Sequence, residues 1–345
     1  MNHRTLLAAL ATAIMASSAL AQEKKVRIDL ASAFASSLPI VGTGGTNFVK
    51  RVNRITSSGL DIKFNEPGAL VPALQVFDAV ASGSIQMAWS APAFWSGKDT
   101  AFNLIGTVPF GPGTGEFLAW YYYGGGKQFG TELFAKYNIV QIQCGLLAPE
   151  ASGWFRKEIK TLADLKGLKM RFVGLGAKVM EKYGVATQLL APGDIFQALQ
   201  LGTIDATEFS MPSMDIKLGF YQVAKFYYFP GWHQQSTFAE ILIGKKTWDG
   251  LSDSQKGVIE MACGDNVRDM IAEGEATQFA AIQEMQTKGV QIKKWSPEIL
   301  AAYEKGWNEV LAEEVAKNPM FKKGWESLSA FRKNYAVWKD LGYLK

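Results

Sequence analysis

Few side chains in this 345-residue chain could do chemistry, and their scarcity narrows the choice. Histidine occurs twice, as His3 and His233. His3 falls in a segment that reads as a cleaved leader, so one imidazole would remain. That argues against His-rich metal sites and against a Ser-His-Asp triad. Cys144 lies in an apolar, strand-like run (residues 139–147) and Cys263 in a helical one. They read as two small buried thiols at least as readily as one disulfide. Glu150 and Glu208 could serve as an acid–base pair in a metal-assisted hydrolase, since two carboxylates in unlike environments split their pKa values. No nucleophile motif, Gly-rich phosphate loop or His cluster accompanies them. The glycines after Gly174 and Lys217 fall far short of GxGxxG. Turnover of candidate acids would favour that enzyme; stoichiometric binding without product would dismiss it.

The N-terminus sets the compartment. Met1–Arg4 is a short basic stretch, Leu6–Ala16 is apolar, and Ala19-Leu20-Ala21 has the small-x-small form of a signal-peptidase site. A secretory signal peptide over residues 1–21, cleaved after Ala21, is expected. No cysteine follows the cut to carry a lipid. No second run reaches the ~18–20 apolar residues of a membrane span. The formal charge is +4, and +3 once Arg4 leaves with the signal. That mild surplus argues against nucleic-acid binding, which wants a strongly basic face, and suits weak attraction of anions.

The remaining length fits about two domains on a ~150-residue prior. Strand and helix alternate over residues 26–90: strands at 26–30, 61–64 and 85–90, a helix carrying Phe48, Val52 and Ile55, and one from Pro72 carrying Leu74, Phe77 and Val80. A β-α-β-α-β order predicts a parallel sheet flanked by helices. A second set follows: a capped turn at Thr161–Asp164, strands at 168–172, 185–190 and 204–209, and helices at 177–183 and 194–201. A helix over about 252–288 is longer than one small domain needs and could bridge both. A strand (290–295) and helices from Pro297 and Lys322 end the chain. The fold class expected is α/β, two-lobed, each lobe a sheet flanked by helices, with the long helix bridging them. Ligands of such sheets bind beyond the carboxyl ends of the strands, and closing one lobe on the other is a hinge motion.

Residues 167–209 read GLKMRFVGLGAKVMEKYGVATQLLAPGDIFQALQLGTIDATEF. This resembles the signature of the solute-binding proteins of tripartite ATP-independent periplasmic (TRAP) transporters, the DctP-type family. Further matching pieces are LVPALQVFDAVASG (70–83), VPFG (108–111), SGWFRKEI (152–159) and FYYFPGWHQQST (226–237). Their order and spacing together are highly specific. The resemblance implies a periplasmic receptor that catches a small carboxylate in a cleft and hands it to TRAP membrane subunits. The branch most similar binds 2-oxo or 2-hydroxy acids together with a metal cation.

By that resemblance Arg171 is the carboxylate clamp. A guanidinium offers paired donors that match a carboxylate, and it cannot lose its charge. Glu150, the carbonyl of Phe209, and Gln234 map onto the metal-ligand positions, with Glu208 adjacent. Glu150 stands where the branch has an amide and Gln234 where it has an acid, so one carboxylate is retained. All-oxygen ligation suits Ca²⁺ or Na⁺, not Zn²⁺. The bland alternative is that Glu150 and Glu208 pair with a cation such as Arg171 and no metal. Trp89 and Phe94 fall where cleft walls are expected, or are plain core; residues 120–123 read as a helix face. A lone His233 is more often structural than ligand-binding.

The implied lobes take residues 22–148 plus about 237–276, and 149–236 plus about 277–320, with 321–345 a C-terminal helical extension. The amphipathic region from Pro297 is longer than the core requires and suits homodimerisation. The same architecture serves other importers and sensors. Neighbouring genes for TRAP membrane subunits would separate these. No organic cofactor is expected, and the sequence does not choose among pyruvate, longer 2-oxo acids, lactate and aromatic acids.

Overall fold

The computed structural model describes residues 23–344; the expected signal peptide lies outside the described residues. In chain order the strands are β1 (Val26–Ser32), β2 (Leu60–Asn65), β3 (Met87–Ser90), β4 (Ile139–Leu147), β5 (Gly153–Phe155), β6 (Lys169–Arg171), β7 (Ala186–Gln188), β8 (Ala206–Thr207), β9 (Phe226–Phe229), β10 (Thr237–Gly244) and β11 (Gln291–Lys294). They form two sheets, ordered β2-β1-β3-β10-β4 and β11-β9-β5-β8-β6-β7. Helices flank both, so the α/β architecture read from the alternation is present.

The first sheet corrects one expectation. β1, β2 and β3 are parallel, but β10 is inserted antiparallel between β3 and β4. Every residue of β10 is buried, so its sequence shows no apolar–polar alternation. In the second sheet β6 runs parallel to β7 and β8, while β5 is antiparallel to β8 and β9. Most other elements fall within a few residues of their expected places. The helix expected from Pro72 opens instead as a 3-10 turn, Ala73–Gln75, before Val76–Ala81. Trp120–Tyr123 closes a helix, Thr114–Tyr123, with Trp120 buried and Tyr123 exposed.

The chain crosses between sheets from β4 to β5, back from β9 to β10, and again through the helix Asp253–Thr287. That helix is capped by Ser252 and Gln255, each side chain bonding the other's backbone N–H. It packs on β4 and on the helix Val41–Arg54 beside the first sheet, and on the helix Pro212–Asp215 beside the second. A disulfide joins Cys263 to Cys144 of β4, resolving the choice the sequence left open. At Gly274 the helix runs beside the crossing: a Cβ there would sit 3.4 Å from that of Ala148, an ordinary contact. No helix among the described residues is long and apolar enough to cross a membrane.

Candidate ligand-binding site

A small cavity of about 40 Å³ lies where the two sheets face each other. One wall comes from the first sheet's loops, through Phe34, Val41, Ala91 and Phe94. The other comes from the second sheet and the crossings, through Glu150, Arg171, Phe209 and Gln234.

Arg171 is the last residue of β6, which lies between β7 and β8, so its side chain leaves the carboxyl end of an interior strand. It is 1% exposed. Its Nη1 donates to Glu208 Oε1 at 2.6 Å and to the Glu208 carbonyl at 2.9 Å; its Nε donates to the Leu190 carbonyl at 3.4 Å. The Val173 N–H donates to the same carboxylate oxygen at 2.7 Å, and the Phe209 ring lies 5.7 Å from the guanidinium carbon. Nη2 has no protein acceptor among the described residues. The guanidinium is thus held on one side and offers its other donors to an anion.

Glu150 and Gln234 sit on the two segments that cross between sheets. The Glu150 N–H donates to the Gln234 carbonyl at 3.1 Å, and the Gly231 N–H to the Glu150 carbonyl at 3.0 Å. These bonds fix both side chains at the cavity. Burial, then the charges of Glu208 and Asp215, push the Glu150 carboxyl well above its ordinary range, against the pull of the Thr237 and Ser210 hydroxyls. Its Oε2 is buried without a partner, as is Oε1 of Gln234, whose amide donates to Thr237 at 3.0 Å. No protein N–H reaches the Phe209 carbonyl among the described residues.

Behind the wall, Glu150, Glu208 and His233 bring one ligand atom each within 4.8 Å of one another. His233 Nε2 lies 3.7 Å from Glu208 Oε2. Both its ring nitrogens are unpartnered, and its ring packs on Phe172 at 4.8 Å. With two buried carboxyls beside one guanidinium, ionising Glu150 would leave an unbalanced negative charge, which is costly to bury. Orphaned oxygens on Glu150 and Gln234, with the free Phe209 carbonyl, fit a hard cation.

Of the residues singled out from sequence, Arg171, Glu150, Phe209, Gln234 and Phe94 line the cavity. Two are corrected. Trp89 is fully buried in β3 and its indole N–H donates to the Val41 carbonyl at 2.7 Å; it supports the wall instead of forming it. Glu208 is fully buried behind Arg171 and anchors it. Sequence reasoning missed Phe34, which lies two residues beyond the end of β1, and Asp215. That acid is pushed up to about 7 by burial. It accepts from Trp154 and Tyr227 at 2.9 Å and from the Ser210 N–H at 3.1 Å, fixing the loop that carries Phe209.

Residues 31–318 match the model of the family described as bacterial extracellular solute-binding protein, family 7, or DctP. The monocarboxylate 2-oxoacid-binding periplasmic protein of Nostoc sp. is 34% identical over 301 residues, 87% of this chain and 83% of that protein. A TRAP transporter solute-binding protein from Bordetella bronchiseptica is similar in structure, with a TM-score of 0.90 and 35% identity over 93% of this chain and 95% of that one; it is a mixed-occupancy dimer with calcium and picolinate in its occupied site. Another from Pseudoalteromonas atlantica, with bound sodium and pyruvate, gives a TM-score of 0.89 and 31% identity over 92% and 97% of the two chains. With two facing sheets, a crevice at their strand ends and a match spanning most of its length, this chain belongs to the bacterial extracellular solute-binding proteins of family 7.

Proposed function

We propose that the protein is the periplasmic receptor of a TRAP transporter and captures a small 2-oxo or 2-hydroxy monocarboxylate between its lobes. The observation that carries this reading is Arg171: a buried guanidinium, braced by Glu208, with donors to spare beside a cavity. The similar proteins from Nostoc, Bordetella and Pseudoalteromonas support the substrate class through the ligands their names record. Arg171 receives the carboxylate. Glu150, Gln234 and the Phe209 carbonyl would hold a Ca²⁺ or Na⁺, which would neutralise the surplus acid and polarise the oxygen next to the carboxylate. Phe34, Val41, Ala91 and Phe94 close from the opposite side, exclude water and so strengthen the charge interactions. The reading includes no chemical step.

The lobe boundaries stated from sequence, export with cleavage after Ala21, delivery to TRAP membrane subunits and homodimerisation through the C-terminal helices are part of the same proposal. The test is isothermal titration of the purified protein with pyruvate, lactate and 2-oxobutyrate, with and without Ca²⁺ or Na⁺. Stoichiometric binding with no product supports the reading. Turnover of any of these acids refutes it.

A further inference from the structure

Resting on the reading of the cavity as a carboxylate site, we infer that Phe34 is the plug that sets how long a ligand's tail can be. Phe34 lines one space, and its sequence neighbours line another. The cavity at Arg171 has about 40 Å³. A much wider groove of about 560 Å³ is lined by Ala33 and Ala35, the immediate neighbours of Phe34, by Leu38, and by Ala191, Pro192 and Gly193. The second wall begins one residue after Leu190, whose carbonyl accepts from Arg171 Nε. Groove and anion site therefore share both of their flanking segments, and the Phe34 ring faces the cavity side, 4% exposed.

The ring is held in place. The Ser32 hydroxyl donates to the Phe34 carbonyl at 2.7 Å and accepts its N–H at 3.0 Å, while the Ala33 N–H donates to the Trp89 carbonyl at 2.9 Å. Phe94 packs against the ring with centroids 5.6 Å apart. The tail of a ligand anchored at Arg171 thus meets a fixed aromatic wall. The walls Phe34, Val41, Ala91 and Phe94 carry no charge, and among the described residues no cationic side chain other than Arg171 lines the cavity. A second carboxylate on the ligand would be buried unpaired. The structure assigns the native ligand to compact monocarboxylates, and assigns to Phe34 the exclusion of longer ones that the groove could otherwise take.

The experiment is calorimetric titration of wild type, Phe34→Leu and Phe34→Ala with pyruvate, 2-oxobutyrate, 4-methyl-2-oxopentanoate, phenylpyruvate and 2-oxoglutarate. Ligand-free thermal unfolding serves as the folding control. Wild type should favour pyruvate or 2-oxobutyrate. Phe34→Ala, which removes part of the wall that excludes water, should weaken pyruvate and should improve the two long apolar acids relative to pyruvate by about 10- to 150-fold, the worth of burying one apolar side chain. Phe34→Leu, the milder change, should move the same way by less, and decides the matter if the alanine variant does not fold. 2-Oxoglutarate should stay weak throughout. Wild type binding phenylpyruvate as well as pyruvate overturns the plug, as does an unchanged ranking in folded variants. Failure of every acid to bind wild type sinks the carboxylate reading itself, and the plug with it.

Discussion

Replacing Arg171 by lysine keeps a positive charge beside Glu208 but removes the planar fork. In the structure Nη1 is already committed to Glu208 through two bonds and Nε to Leu190, which leaves Nη2 for a ligand. A lysine ammonium has three protons on one nitrogen and a stem one bond shorter. Serving Glu208 as Nη1 does takes two of those protons, so at most one remains for the carboxylate. The variant loses one to two charge-assisted bonds, each worth about 1.5–3 kcal/mol. We expect about 1.5–6 kcal/mol, or a Kd raised roughly 10- to 25,000-fold. Isothermal titration with pyruvate reads this directly, and thermal unfolding without ligand checks that the fold survives. Methionine is the poorer test, because it would strand Glu208 as a buried unpaired charge costing about 3–5 kcal/mol in stability. A lysine variant that folds and loses less than about threefold in affinity refutes the clamp.

Glu150→Ala should weaken acid binding and abolish its dependence on added Ca²⁺ or Na⁺; losses from the substitution and from a chelator that simply add would show that no shared ion links protein and ligand. Glu240, fully buried and bonded to Trp95 and Ser90, is pushed from 4.5 up to about 8 by burial. Between those values the unfolded chain is ionised while the folded one keeps its proton, so stability falls as pH rises, by up to about 1.4 kcal/mol per pH unit. Denaturant midpoints for wild type and Glu240→Gln at pH 5.5, 6.5 and 7.5 should diverge accordingly; parallel curves would contradict the assignment. The Cys144–Cys263 disulfide closes a separation of 119 residues, worth about 5 kcal/mol in the chain-entropy picture. A Cys144→Ala, Cys263→Ala variant should unfold at a clearly lower temperature, and an unchanged Tm would show that the link is not formed in solution.

The sequence made the alternating elements legible because their apolar faces repeat with clear periods. It hid β10, where eight buried residues in a row erase the period, and it hid the sense of that strand, which depends on a return from the other sheet. The cavity was readable at Arg171, Glu150, Phe209 and Gln234 only because a family pattern places them; nothing local to GWHQQ or LAPEA marks a cation site. Trp89 misled because a tryptophan at a strand end suits a cleft wall, whereas here the Val41 carbonyl turns it inward. Asp215 could not be read at all: its partner Trp154 lies 61 residues away, so its burial and raised pKa exist only once the chain is folded. Phe34 lay in an unremarkable loop sequence, and only the cavity it lines makes its position meaningful.

The helix Asp253–Thr287 is about 52 Å long at 1.5 Å per residue, and its two ends are fastened differently. Near the start a covalent cross-link clamps it to β4. Toward the far end it meets the helix Pro212–Asp215 through Gln278, which reaches the Ser213 hydroxyl at 3.0 Å and accepts the Ser213 N–H at 2.9 Å. Such a rod is welded at one bearing and seated at the other by hydrogen bonds and by the buried Ala281 and Met285. The welded half carries its wall of the pocket as one stiff piece.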